Sequence, residues 1–357
     1  VLLGLGVIPA MQAQTFDKLW KEVKQAEKKS LPKTVIKLTD EIYQKGEKER
    51  NSAQMLKAYM WRMKTQDILT PDSFYVGLRD LEQWAKQTEQ PMDRAILHSL
   101  IAEFYANYAA DNQWQLRQRT EIVGETPSAD IREWTANMFV EKVRTNVKEA
   151  LADSLLLLKT SSLNYIPFVE LGETSEYYHH DMYHLLASRA IRALNQIERL
   201  ERGSFNGITA SPVKQDISNI YERMTDAYET AGLKEGYVLT MLQYLEWKRG
   251  NDNKLQPVQL KKGLGEWTAD TYNAALDELK RQFKSEPICA EVYLAQVRYA
   301  VEKMQQVNAL QLCDEAIRLY PGYRRINALK NLREEILAPF LNVSAAMRAM
   351  RKVCISA

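Results

Sequence analysis

The stretch AEVYLAQVRYAVEKMQQVNALQLCDEAIRLYPGY, residues Ala290 to Tyr323, decides the fold. Read as one 34-residue unit, it puts Val297, Ala300, Ala309, Cys313 and Ala316 on the small or apolar positions of a tetratricopeptide-type helical hairpin, with Pro321 closing it. Small residues at those positions let two antiparallel helices approach closely, and the proline stops the second helix before another pair begins. Tyr293 and Gln296 stand where such repeats commonly carry Trp and Leu. One hairpin cannot bury both of its faces, so neighbouring helices must stack on it. Arg325 to Leu337 is expected to supply the cap.

Working outward toward the N-terminus, the same rhythm persists without a second repeat of that quality. Phe16, Leu19, Trp20, Val23 and Ala26 recur at helical spacing, as do Val35, Ile36, Leu38, Ile42 and Tyr43. Met55 to Met63 carries a third face. Phe74, Leu78, Leu81 and Trp84 give a fourth, and Ile96, Leu97, Leu100, Ile101, Phe104 and Tyr108 a fifth. Pro32, Pro71 and Pro91 sit at the breaks, where a first helical turn tolerates them. From Ser128 the spacing of Ile131, Trp134, Met138, Val143, Val147 and Leu151 predicts one long helix to about Lys159. Asn164 to Gly172 (NYIPFVELG) is irregular, and Tyr177 to Arg199 is helical again. The chain therefore reads as all-α, a solenoid or bundle of antiparallel helical hairpins.

The expected organisation is a signal remnant at 1–13, a helical domain at 14–202, a small, turn-rich linker at 203–212, a tetratricopeptide-like domain at 213–338 and an irregular tail at 339–357. Val1 to Ala13 (VLLGLGVIPAMQA) fits the apolar core and cleavage end of a secretory signal, with Ala13 the last residue removed. No basic stretch precedes it, so the sequence is expected to begin inside that signal. It is shorter than the roughly 20 apolar residues a bilayer requires. No other segment qualifies, and no transmembrane segment is expected. The chain is expected to be exported, to the periplasm or the outer membrane.

Composition narrows the function. Lys and Arg total 48 against 46 Asp and Glu, a formal charge of +2. Such balance gives no global pull on nucleic acid or acidic lipid. Cys289, Cys313 and Cys354 are an odd set without C-x-x-C spacing, which predicts neither a disulfide framework nor a zinc knuckle. Cys313 reads as a small core residue. His98, on an apolar face, reads as a structural histidine. Gly263-Leu264-Gly265 lacks the preceding strand that a phosphate-binding loop needs.

One constellation has the spacing of chemistry. In Tyr177-Tyr178-His179-His180-Asp181-Met182-Tyr183-His184, His180 and His184 would share one helix face as two metal ligands. H-D-x-x-H is close to the H-E-x-x-H of zinc peptidases, but Asp is one methylene short of the usual general base, and no third ligand is marked. The reading preferred here is structural. Tyr178, His179, His180, Asp181, Tyr183 and His184 form a polar cluster at a helix start that pins the irregular 164–176 segment. No catalytic residue, metal or cofactor is expected.

Longer phrases carry a family resemblance. Gln14 to Lys45, LTPDSFY (Leu69 to Tyr75), RAILHSLIAEFYANY (Arg94 to Tyr108), DIREWT (Asp130 to Thr135), PFVELG (Pro167 to Gly172) and YYHHDMYHLLASRAI (Tyr177 to Ile191) resemble the helical N-terminal region of large secreted alpha-2-macroglobulin-like proteins of Bacteroidetes. The resemblance spans most of residues 14–340. It implies that FLNVS (Phe340 to Ser344) starts the first β-sandwich domain, and that bait and thioester chemistry lie downstream. No C-x-E-Q motif occurs in this sequence, so no active-site residue is carried over. The expected function is a non-catalytic scaffold that binds a protein or peptide partner in envelope protease defence. The rivals are a zinc hydrolase using His180 and His184, and a helical-repeat accessory for nutrient uptake.

Overall fold

A computed structural model describes residues 8–70, 73–120, 128–172, 175, 179–201, 211–251 and 269–338. Among the described residues every regular element is helical and no strand occurs. The described residues pack as two compact units, residues 1–172 with His180–Ile220, and 173–179 with 221–357. The division falls inside one helix, after the expected linker at 203–212, most of which lies outside the described residues.

In the first unit, α1 (Ile8–Lys28), α2 (Pro32–Glu49) and α3 (Ser52–Leu69) form a layered start. Helix α1 already begins at Ile8, so the expected processing point after Ala13 falls within it. The face predicted from spacing is the buried one: Phe16, Leu19, Trp20, Val23 and Ala26 meet Val35, Ile42 and Ala58 in one cluster. Pro32 opens α2, and Asn51 caps α3 by accepting the Gln54 N–H at 3.2 Å. Next come α4 (Ser73–Gln87), α5 (Pro91–Asp111) and the short α6 (Gln113–Gln118). Helix α5 packs against α4, α7 (Ala136–Ala150) and α9 (Met182–Ile197). Buried on several sides, it carries Ile96, Leu97, Leu100, Ile101 and Ala106 at 5% exposure or less. The ring of Tyr105 stacks on Trp134 at 5.3 Å, and its hydroxyl donates to Glu82, which also holds Lys142. His98 is structural as read, with its Nδ1 2.8 Å from Asn146 Oδ1.

The single long helix expected from Ser128 to Lys159 is three pieces. Asp130 caps a 3-10 turn at Ile131–Glu133, Trp134 and Thr135 are extended, and α7 follows. At the far end Asp153 accepts the Leu156 N–H at 3.0 Å and starts a separate α8 (Ser154–Lys159). Each aspartate offers the backbone a local acceptor that outcompetes helix continuation. Apolar spacing alone ran through both breaks.

The second unit holds α11 (Lys234–Asn251), α12 (Ala269–Phe283), α13 (Cys289–Glu302), α14 (Gln306–Leu319) and α15 (326–338), together with the C-terminal half of α10 (Pro212–Thr230). Helices α13 and α14 form the predicted hairpin. Val297, Ala300, Ala309, Cys313 and Ala316 are all at 2% exposure or less. Burial raises the Cys313 thiol to about 11, as expected of a core residue. Helix α15 buries Ile326, Leu329 and Ile336 and is tied to α14 by Arg333 and Asp314, so the cap is where the sequence placed it. Helices α10 and α11 approach closely at Gly236, where a Cβ would stand 2.5 Å from the buried Tyr228 ring.

Both units bury phenols whose pKa is pushed above the ordinary value of about 10. Burial is the first cause for Tyr105, Tyr165 and Tyr323, and the carboxylates of Glu82, Asp93 and Glu291 add to it. A raised folded pKa means stability that is complete below about pH 10 and lost as pH rises further, because the unfolded chain ionises first. The melting temperature should therefore hold from pH 7 to 9 and fall steeply above about pH 10. Phenolate absorbance should appear together with unfolding, not before it. Ionisation of these phenols in the folded state at pH 10 would contradict this.

Candidate functional site

His180 and His184 do not stand on one helix face. Tyr177 and Tyr178 lie outside the described residues. Asp181 is the N-cap of α9, its Oδ1 accepting the His184 N–H at 2.6 Å. His180 therefore precedes the helix. Its backbone is paired: the carbonyl accepts from the Ser162 N–H at 2.9 Å and the Ser162 hydroxyl at 3.1 Å, while the Met182 N–H donates to Thr160 at 2.8 Å. The His180 side chain is exposed, and His184 is 1% exposed inside the first unit. The helical register that would put the two imidazoles on one face is absent, because the cap spends Asp181 at the position the hydrolase reading needed inside the helix. Among the described residues no group of three or more His, Cys, Asp or Glu side chains is arranged to hold a metal ion. The cluster's observed work is to fasten 160–162 to the start of α9 by backbone bonds. His179 belongs to the second unit, where its ring meets Tyr228 edge-on at 5.9 Å.

A larger feature, which the sequence reading missed, is a groove of about 730 Å3 in the second unit, between α10, α11, α12 and α13. Aromatic side chains from four helices line it: Tyr221, Trp247, Tyr272 and Tyr299. Tyr221 stacks on Tyr244 at 5.0 Å, and Tyr244 on Trp247 at 6.2 Å, so the aromatic wall is held by its own second layer. Leu239, Leu242 and Leu294 add apolar surface.

Three arginines enter the groove in different states. Arg325 is buried, its Nη1 donating to Glu291 Oε2 at 2.6 Å, and Tyr323 donates to the other oxygen at 2.9 Å. Arg249 lies over the Tyr272 and Tyr299 rings and is held by Glu246 at 2.7 Å and Glu302 at 2.5 Å. Those carboxylates, Glu246 foremost, raise the Arg249 pKa, while Arg249 holds the Glu302 carboxyl below its usual range. Arg298 is exposed and has no ion-pair partner among the described residues. The Trp247 indole N–H is buried and without a hydrogen-bond partner.

Among the described residues the lining contains no Ser, Thr, Cys, Lys or His, and its Glu246 and Glu291 are engaged in ion pairs. It offers flat aromatic and apolar surfaces with the exposed Arg298 beside them. Nothing in residue spacing shows that four helices turn these aromatics toward one opening. Neither a known family model nor a curated protein matches the chain.

Proposed function

We propose that the chain is a non-catalytic helical scaffold, part of an exported macroglobulin-like protein, that binds an extended segment of a partner protein along the groove of the second unit. The observation that carries this reading is the aromatic-lined groove of about 730 Å3 with Arg298 at its side. Aromatic walls take apolar side chains at low entropic cost, and an unpaired arginine selects an acidic residue beside them. The partner segment is accordingly apolar or aromatic with a flanking Asp or Glu. In an exported protein this serves recognition of a partner in envelope protease defence.

The test is a fluorescence-polarisation screen of decapeptides that pair aromatic and acidic residues. Wild-type protein should bind a subset saturably. Arg298→Glu should weaken the best binder about tenfold or more, since it turns attraction into repulsion. Tyr299→Ala should weaken it comparably, with the melting temperature within a few degrees of wild type. Absence of any saturable binder, or equal binding by Arg298→Glu, would overturn the proposal.

A further inference from the structure

The groove of the second unit has two fixed ends. At the first, consecutive residues of the turn before α15 reach two different helices. Arg324 pairs with Glu235 near the start of α11, and Arg325 pairs with Glu291 near the start of α13 at 2.6 Å. At the second, Arg249 near the end of α11 pairs with Glu302, the last residue of α13, at 2.5 Å. Start is held by start and end by end, so α11 and α13 run side by side in the same direction. Arg325 and Arg249 both line the groove, so each tie borders it.

Between the ties, each helix shows the groove one face. Leu239, Leu242 and Glu246 on α11 recur every three or four residues, as do Glu291, Leu294 and Arg298 on α13. The groove therefore follows the helix axes. Glu291 and Glu302 are eleven residues apart, about 16 Å along a helix. Glu235 and Arg249 are fourteen residues apart, about 21 Å. An extended chain advances about 3.3 Å per residue, so the span takes about five or six of them.

Charge sets the register within that span. Arg249 and Arg325 are spent on carboxylates. Arg298 is the exposed arginine of the lining, without an ion-pair partner among the described residues. It stands four residues before Glu302, about 6 Å from that end along the helix. An acidic side chain opposite Arg298 is then about two extended residues from the Arg249 end. The remaining positions of the segment meet the aromatic and leucine walls.

We propose that the groove takes a bounded segment of about five or six extended residues, apolar or aromatic except for one Asp or Glu about two residues from one end. The bounded length and the register rest on the assignment of the groove to a partner peptide and go beyond it.

The tightest of the screened decapeptides, labelled with fluorescein, tests this by fluorescence polarisation on the full chain. Cut back one residue at a time from each end, it should keep its affinity within about twofold down to a core of about five or six residues. The next cut from either side should cost about tenfold. A core whose single Asp is moved one position at a time should bind best with the acid about two residues from one end. Arg298→Gln should flatten that preference and leave the core length unchanged. With no binder among the decapeptides, the peptide assignment and the bounded segment fall together. A binder whose affinity drops steadily from the first cut, or survives cutting to about three residues, would overturn the bounded segment alone. So would an acid preference that persists in Arg298→Gln. The truncation series uses wild-type protein and needs no variant to fold.

Discussion

Replacing Glu291 with alanine should cost the second unit about 3–5 kcal/mol, the usual effect of removing one partner from a buried ion pair. The side chains of Glu291 and Arg325 are 8% and 3% exposed, and they meet at 2.6 Å. Loss of the carboxylate strands a guanidinium in a site with little water and removes the acceptor of the Tyr323 hydroxyl. Because Glu291 is on α13 and Arg325 immediately precedes α15, the pair fastens the capping helix to the repeat hairpin. Hydrogen exchange should therefore quicken in 289–302 and 323–338 while α5 in the first unit keeps its protection. Glu291→Gln should cost less, since the amide oxygen can still accept from Tyr323 or Arg325. The double variant Glu291→Leu with Arg325→Met should recover most of the loss, because an apolar pair of similar size carries no desolvation penalty. A Glu291→Ala protein within 1 kcal/mol of wild type would show that the pair does not hold the cap.

That pair also marks the limit of what the sequence could disclose. Its members are 34 residues apart, beyond the reach of the spacing within one helix. What periodicity did reveal was each helix's buried face: Phe16, Leu19, Trp20 and Val23 in α1, and Ala300, Ala309, Cys313 and Ala316 in the hairpin are all inside. Burial of an amphipathic stripe is local information, written every three to four residues. Which stripes meet is not. Tyr221, Trp247, Tyr272 and Tyr299 come from four helices, and only the packing of α10 to α13 opens them onto a groove. The errors share one cause. Asp130, Asp153 and Asp181 all cap short turns or helices with side-chain oxygens. An aspartate's choice between a helical position and a cap turns on one hydrogen bond, which apolar spacing does not register. At Asp181 the cap places His180 before the helix, so His180 and His184 do not share the helix face that their spacing suggested.

A fourth aspartate carries the second large effect. Asp93, 5% exposed in the first turn of α5, accepts the Ser52 hydroxyl at 2.5 Å on one oxygen and the Tyr165 hydroxyl at 2.8 Å on the other. One carboxylate thereby ties the start of α3 and the start of α5 to the 3-10 turn Ser162–Tyr165, from which the irregular 166–172 segment leads off. Its negative charge also suits the N-terminal end of α5. Asp93→Ala leaves two half-buried hydroxyls without their acceptor and removes a buried carboxylate that joins three segments, so a loss of about 3 kcal/mol is expected. For a unit of this size that lowers the melting temperature by about 6–12 °C. Asp93→Asn keeps an acceptor and should cost about 1 kcal/mol, and Tyr165→Phe, which leaves the Ser52 bond in place, about as little. Hydrogen exchange should quicken at 162–172 in Asp93→Ala. Peptide binding in the second unit should be unchanged. If Asp93→Ala melts with wild type, the irregular segment is held by its apolar contacts and by the backbone bonds to His180 and Met182, and the carboxylate is dispensable.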